Sequence, residues 1–190
     1  MKKYCELNEK YEKLEKKYEK IMTIVGPMIE EEEEKKIKFQ WENNDNFELS
    51  NNNKRLKKIK NRGWNSNVKG NKILRKNAIN IFKIRVNNIN SDKTGLLFEI
   101  EKASANSTKP SYEEWNMSCF NTSLYKYQNF KKEKINKGDI VTFIVDLNKG
   151  SLSVKKNDIS LGVLYDIPKN EDLVPSVLIF YEGDEIEIID

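Results

Sequence analysis

The stretch "GDIVTFIVDLNKGSLSVKKNDISLGV", residues 138–163, decides the fold class. In "VTFIVD", Val141, Phe143 and Val145 fall on one face and Thr142, Ile144 and Asp146 on the other, the period of two that marks a strand. "DLNKG" has the chemistry of a short hairpin turn, because Asn148 tolerates turn geometry and Gly150 can take a positive φ. "SLSV" returns with Leu152 and Val154 inward, "KKND" turns again, and "ISLGV" forms a third strand. Nothing in these 26 residues is suited to catalysis.

The same pattern extends outward from this segment. "FQWE" (39–42) and "NFELS" (46–50) open the strand-forming part of the chain. "NIFKIRV" (80–86) and "GLLFEIEKA" (95–103) are rich in β-branched and aromatic residues, with a turn-rich gap between them. "WNMSCFNTSLYKYQNF" (115–130) follows. "VPSVLIFYEGDEIEIID" (174–190) reads as a last pair of strands around "EGD", with Pro175 suited to a strand start. Short strands, short turns and no helical period between them predict an all-β antiparallel sandwich over residues 37–190.

Residues 1–36 are different. Tyr4, Leu7, Tyr11, Leu14, Tyr18, Ile21, Val25 and Met28 recur at alternating spacings of three and four, an a/d heptad seam. Lys3, Lys10 and Lys17 fall at g and Glu15 at e. Glu6/Lys10, Glu9/Lys13 and Glu12/Lys16 are favourable i,i+4 pairs. The stripe needs a covering surface, either another copy, making a homo-oligomer, or its own domain; three Tyr at a are wide for a tight two-stranded seam. Gly26-Pro27 is expected to end or kink the helix, and "MIEEEEEKKIK" (28–38) to continue as a solvated helix or acidic linker.

Composition narrows the function classes. The 190 residues contain no histidine, which removes the commonest general base, the Ser-His and Cys-His nucleophile pairs and most mixed zinc sites. Two cysteines, Cys5 and Cys119, are too few for a disulfide framework and are expected to be reduced thiols. No phosphate-binding glycine motif or nucleophile elbow occurs. "DLNKGSLSVKKN" departs from a calcium loop, with its glycine one place early and Asn157 where glutamate is required. The expectation is a non-enzyme with no metal and no cofactor. With no apolar leader in residues 1–17 and no run long enough to span a membrane, the expected location is cytoplasmic, the nucleus also being open. The abundance of Asn and Lys is read as A-rich codon usage rather than a specialised role for Asn.

Four blocks in order resemble the SPRY domain, the core of the B30.2 module, over about 39–190. "NFELSNNNKRLKKI" resembles its opening strand pair. "IFKIRV" falls where the family has a Trp-Glu-Val-Glu strand, so Phe82 stands at the Trp position and Lys83 at the Glu. In "IVDLNKGSLSVKKNDISLGV", Asp146, Gly150, Asn157, Leu161 and Gly162 fall on recurrent positions. "LVPSVLIFYEGDEIEI" resembles the closing strands. A helix before such a domain is similar to the tripartite-motif layout, without the Cys/His-rich RING or B-box.

The resemblance implies a protein-binding adaptor whose loops, at one end of the sandwich, recognise a protein or short peptide. It places the candidate binding residues at Tyr112 and Trp115, in the loop 103–115, and at Phe180, Tyr181 and Glu182. A second reading comes from charge. Between Glu48 and Asp92 there is no acidic residue but twelve cations, and Arg55, Lys57, Lys58, Lys60 and Arg62 surround Trp64 to form a candidate basic patch for nucleic acid or an acidic surface. The whole chain is only +4, and its C-terminal strands are acidic.

Overall fold

The computed structural model describes residues 2–60, 63, 67–89, 95–105, 115–118, 134–165 and 167–190. The chain divides into two compact units, Met1–Lys36 and Ile37–Asp190. The first is one helix, α1 (Lys2–Lys35). It does not end at Gly26-Pro27. Proline inside a helix removes one backbone hydrogen bond, but the residues beyond it are strong helix formers, tied by Lys35 to Glu31 at 2.8 Å and by Lys36 to Glu33. Lys35 also complements the negative end of the helix dipole. No helix among the described residues is long and apolar enough to cross a membrane.

The second unit is an all-β antiparallel sandwich of eleven described strands. They are β1 (Phe47–Ser50), β2 (Arg55–Lys58), β3 (Asn67–Lys69), β4 (Ile79–Asn88), β5 (Leu96–Lys102), β6 (Trp115–Ser118), β7 (Ile140–Asp146), β8 (Ser151–Lys156), β9 (Ile159–Tyr165), β10 (Leu173–Ile179) and β11 (Glu185–Ile189). One sheet has the order β1-β2-β11-β4-β7-β8-β9, the other β3-β10-β5-β6. The stretch 138–163 supplies β7, β8 and β9 as consecutive hairpins, with Phe143 opposite Val154 and Val154 opposite Gly162. "FQWE" is not a strand. It makes one isolated bridge, Trp41 to Gly70, while its aromatic residues turn inward.

The core lies between the sheets. Phe82 stacks on Phe143 at 4.9 Å and 13°, Phe39 meets Phe82 edge-on at 5.5 Å, and Phe98 of the smaller sheet meets Phe143 at 5.2 Å. Each such pair contributes about 0.5–1.5 kcal/mol beyond its buried area. Phe82 therefore fills the interior at the centre of this aromatic cluster. Trp41 is buried in the same cluster, edge-on to Phe39 at 5.2 Å, and donates its indole N–H to the Lys54 carbonyl at 3.1 Å.

The turns give asparagine a role that codon usage does not account for. Among described residues, every non-glycine with positive φ is Asn or Asp: Asn51, Asn52, Asn53, Asn77, Asn157 and Asp158. Three consecutive Asn make the β1–β2 turn left-handed, and Asn157-Asp158 form the two-residue β8–β9 hairpin; short polar side chains tolerate this region best. In the β7–β8 turn the organiser is Asp146 rather than Asn148. Its Oδ1 accepts the backbone N–H of Asn148 at 3.0 Å and of Lys149 at 3.1 Å. Gly150 follows at φ +70, close against the Ile167 carbonyl.

Candidate functional site

β10 leaves the smaller sheet at Ile179 and β11 enters the larger one at Glu185, so residues 180–184 turn across one end of the sandwich. The turn is held by segments remote in sequence. Phe180 donates its N–H to Gly95 O at 2.7 Å and its carbonyl accepts from Gly63 at 3.1 Å. Gly183, at φ +89, donates to Lys58 O at 2.8 Å, and Lys58 donates back to Asp184 O at 3.0 Å. The Asn88 amide donates to Gly183 O at 2.9 Å. Strand ends at 58, 88 and 95 thus converge on one turn, leaving little backbone freedom beneath it.

On this frame Phe180 and Tyr181 pack edge to face, 4.7 Å between ring centroids at 61°. Both are half-buried and Glu182 is exposed. Gly95 makes the close approach possible: a Cβ there would lie 2.6 Å from Tyr181 Cδ2 and 3.0 Å from Asp184 Oδ2. A large, partly exposed aromatic surface beside an exposed carboxylate suits contact with an apolar group flanked by a cation or amide.

The structure brings together Phe180, Tyr181 and Glu182, and sets Lys58 beneath them. Tyr112 lies outside the described residues, as do Arg62, Trp64 and Cys119. Trp115 begins β6 opposite Ile100, which in turn faces Pro175. Leu96, opposite Ile179, marks the turn end of that sheet. Four strand residues, about 13 Å, therefore separate the Trp115 register from that end. Gly63, Asn88 and Gly95 were not among the residues singled out from sequence. The only sequence signal for Gly95 was its place at the head of a strand.

The basic stretch is distributed rather than gathered. Lys58 is fully buried, its ammonium 4.6 Å from the Phe47 ring centroid, and burial pushes it below the ordinary lysine range. Arg55 lies 3.3 Å from Glu187 and 3.6 Å from Glu185; Arg85 approaches Glu187 at 3.8 Å. Lys54 pairs with Asp190, Lys69 with Glu101 and Lys76 with Asp172. Glu187 is the hub of this surface. Burial alone would raise its carboxyl, but hydrogen bonds from Asn51, Asn87 and Arg55, with the Arg55 charge, outweigh that and hold it below the usual carboxylate range. Lys57 and Lys60 remain exposed.

At the other end of β10 lies a cavity of about 360 Å³, lined by Glu42, Asn44, Asn67, Lys69, Asn71 and Ile73 among others. Its polar walls are largely engaged with each other. Lys69 Nζ donates to the carbonyls of Ala103 at 3.2 Å and Ala105 at 2.6 Å, and Asn67 Nδ2 donates to the buried Glu101 at 3.0 Å. Among the described residues no group of three or more His, Cys, Asp or Glu is placed to hold a metal.

No family model matches this chain, and no curated protein matches it. Solved structures do. The chain is similar to the PSpry domain of TRIM65, with a TM-score of 0.60 and 14% identity over 87% of this chain and 99% of that one. It is similar to the SPRY domain of human HERC1, with a TM-score of 0.58 and 14% identity over 80% and 98% of the two chains. The NEUZ (NHR) domain of Neuralized from Drosophila melanogaster gives 0.58 and 15% over 80% and 91%. The fold is an all-β sandwich of the SPRY-like kind.

Proposed function

We propose that this chain is a non-catalytic interaction module that recognises a protein or short peptide through the end of the sandwich at Phe180, Tyr181 and Glu182. The observation that carries it is the half-buried Phe180–Tyr181 pair, seated on a turn held by hydrogen bonds with residues 58, 63, 88 and 95. A rigid platform reduces the ordering cost of association, and aromatic residues supply contact area with few rotatable bonds. The similarity to SPRY domains supports the same reading, since the family resemblance implies protein recognition at one end of the sheets. Trp115, about 13 Å along the sheet from that end, and Tyr112, outside the described residues, are proposed as further contacts on the family resemblance alone.

The second reading, nucleic-acid or acidic-surface binding through Arg55, Lys57, Lys58, Lys60, Arg62 and Trp64, has less support. Lys58 is buried and Arg55 faces two carboxylates, so fewer of these cations than the sequence suggests can meet phosphate.

The test is capture of partners by the full chain from lysate of its source cells, with and without nuclease, compared among wild type, Tyr181→Ala and Glu182→Arg. Proteins that persist through nuclease and are lost with either substitution, at unchanged melting temperature, support the module. Partners that vanish with nuclease, or that ignore both substitutions, overturn it.

A further inference from the structure

We propose that α1 associates with α1 of a second copy of this chain, parallel and in register. The stripe read from sequence lies on a single continuous helix and is exposed where its side chains are described: Tyr11 is 70% exposed, Leu14 66%, Tyr18 64% and Met28 65%. Met22 and Ile24, at the flanking e and g positions, are exposed too and widen the apolar face in its C-terminal half. The rest of the helix is mainly Glu and Lys, so this stripe is the apolar surface that association would remove from water.

Charge selects the partner and its direction. In a parallel in-register pair, each g residue faces the e residue five places on in the other copy. Lys10 then faces Glu15 of the second copy, twice by symmetry, and the Lys17 stem lies over Met22. In an antiparallel pair, g faces g and e faces e. The register that overlays the whole seam, Tyr4 on Met28, sets Lys17 against Lys17 and Glu15 against Glu15. The opposite-charge layer exists only in the parallel arrangement. The Tyr residues at a and the apolar residues at e and g suit a broad seam, so two or three strands satisfy the same pairing. Parallel association starts both 37–190 units from the same end of the helix pair, which makes a second weak binding event intramolecular whatever the sandwich recognises.

Sedimentation of the full chain at low salt tests this. A dimer or trimer is expected; a monomer at the highest concentration reached overturns it, and that result would assign the stripe to its own domain. Lys10→Glu and Glu15→Lys should each weaken assembly about tenfold, and the double exchange should restore it. Failure of the double exchange to restore assembly refutes the charge argument. Orientation is read with Leu7→Cys in a Cys5→Ser, Cys119→Ser background. Oxidation should give a disulfide-linked pair, whereas assembly without that cross-link means the helices are antiparallel.

Discussion

Replacing Glu187 with glutamine tests whether the charged row across β2, β11 and β4 stabilises the sandwich as a unit. Glu187 sits opposite Arg55 on one side and Arg85 on the other, so the three form a line across three strands. Its carboxylate accepts from Asn51 Nδ2 at 2.7 Å, Asn87 Nδ2 at 3.3 Å and Arg55 Nη2 at 3.3 Å. Glutamine keeps the shape and one acceptor but removes the charge. A hydrogen bond to a charged group contributes about 1 kcal/mol more than a neutral one, and two Asn donors are affected. The Arg55 and Arg85 side chains are 43% and 46% exposed, so their attraction is screened and adds only about 0.5 kcal/mol in all. The expected loss is about 2 kcal/mol, a fall in Tm of about 4–8 °C for a domain of this size. The native carboxyl titrates below its unfolded value, so the wild-type advantage is complete above about pH 4.3 and disappears as pH falls through the lower native value. Thermal melts of both proteins from pH 7 to pH 3 should therefore show the gap closing on the acid side. A gap that stays constant across that range, or a glutamine variant as stable as wild type at pH 7, refutes the reasoning.

Two further substitutions probe close approaches. Gly150→Ala places a Cβ 2.7 Å from the Ile167 carbonyl, a backbone atom that cannot swing aside, at φ +70 where a side chain already costs about 1–2 kcal/mol. Chemical denaturation should show a loss above about 2 kcal/mol, and Gly150→Asn should recover little of it. Full recovery with Asn would mean that only the dihedral angle matters. Gly95→Ala drives its methyl into the Tyr181 ring, 2.6 Å away, without a dihedral penalty. A loss of about 1–3 kcal/mol is expected together with displaced Tyr181 ring resonances in NMR spectra. Unchanged ring resonances would show that Gly95 does not seat Tyr181.

What could be read from sequence was whatever is local. The β7–β8–β9 hairpins declared themselves through alternation and turn chemistry, because both lie within a few residues of each other. β3 did not: Asn67-Val68-Lys69 has one apolar residue, and it is a strand because Val177 of β10 lies opposite Val68. Gly26-Pro27 was expected to end or kink the helix, and it does not end it: the helix continues to Lys35, where the strong helix formers and charge pairs that follow offset the local cost of the proline. The Asn-rich composition concealed a real requirement, because only the fold reveals that Asn51, Asn52 and Asn53 occupy three left-handed positions in a row. Phe180 and Tyr181 were legible as candidates. The support beneath them was not, since Lys58, Asn88 and Gly95 reach the turn only through strand pairings that span most of the chain.

The basic stretch shows the same limit from the opposite side. In one dimension, residues 54–85 are a run of cations with no acid among them. In two dimensions the sheet inserts β11 between β2 and β4, and β11 is acidic at alternate positions, Glu185 and Glu187. Glu185 stands opposite Lys57 and Glu187 opposite Arg55, while Arg85 faces Glu187 from the other strand. The cations of two strands and the carboxylates of a third make one mixed surface. The order β2-β11-β4 explains why a long positive run coexists with acidic C-terminal strands: each is the counter-charge of the other, separated in sequence by most of the domain. The feature of the described surface that this mixed charge does not explain is the turn connecting β10 to β11, where Phe180 and Tyr181 pack edge to face.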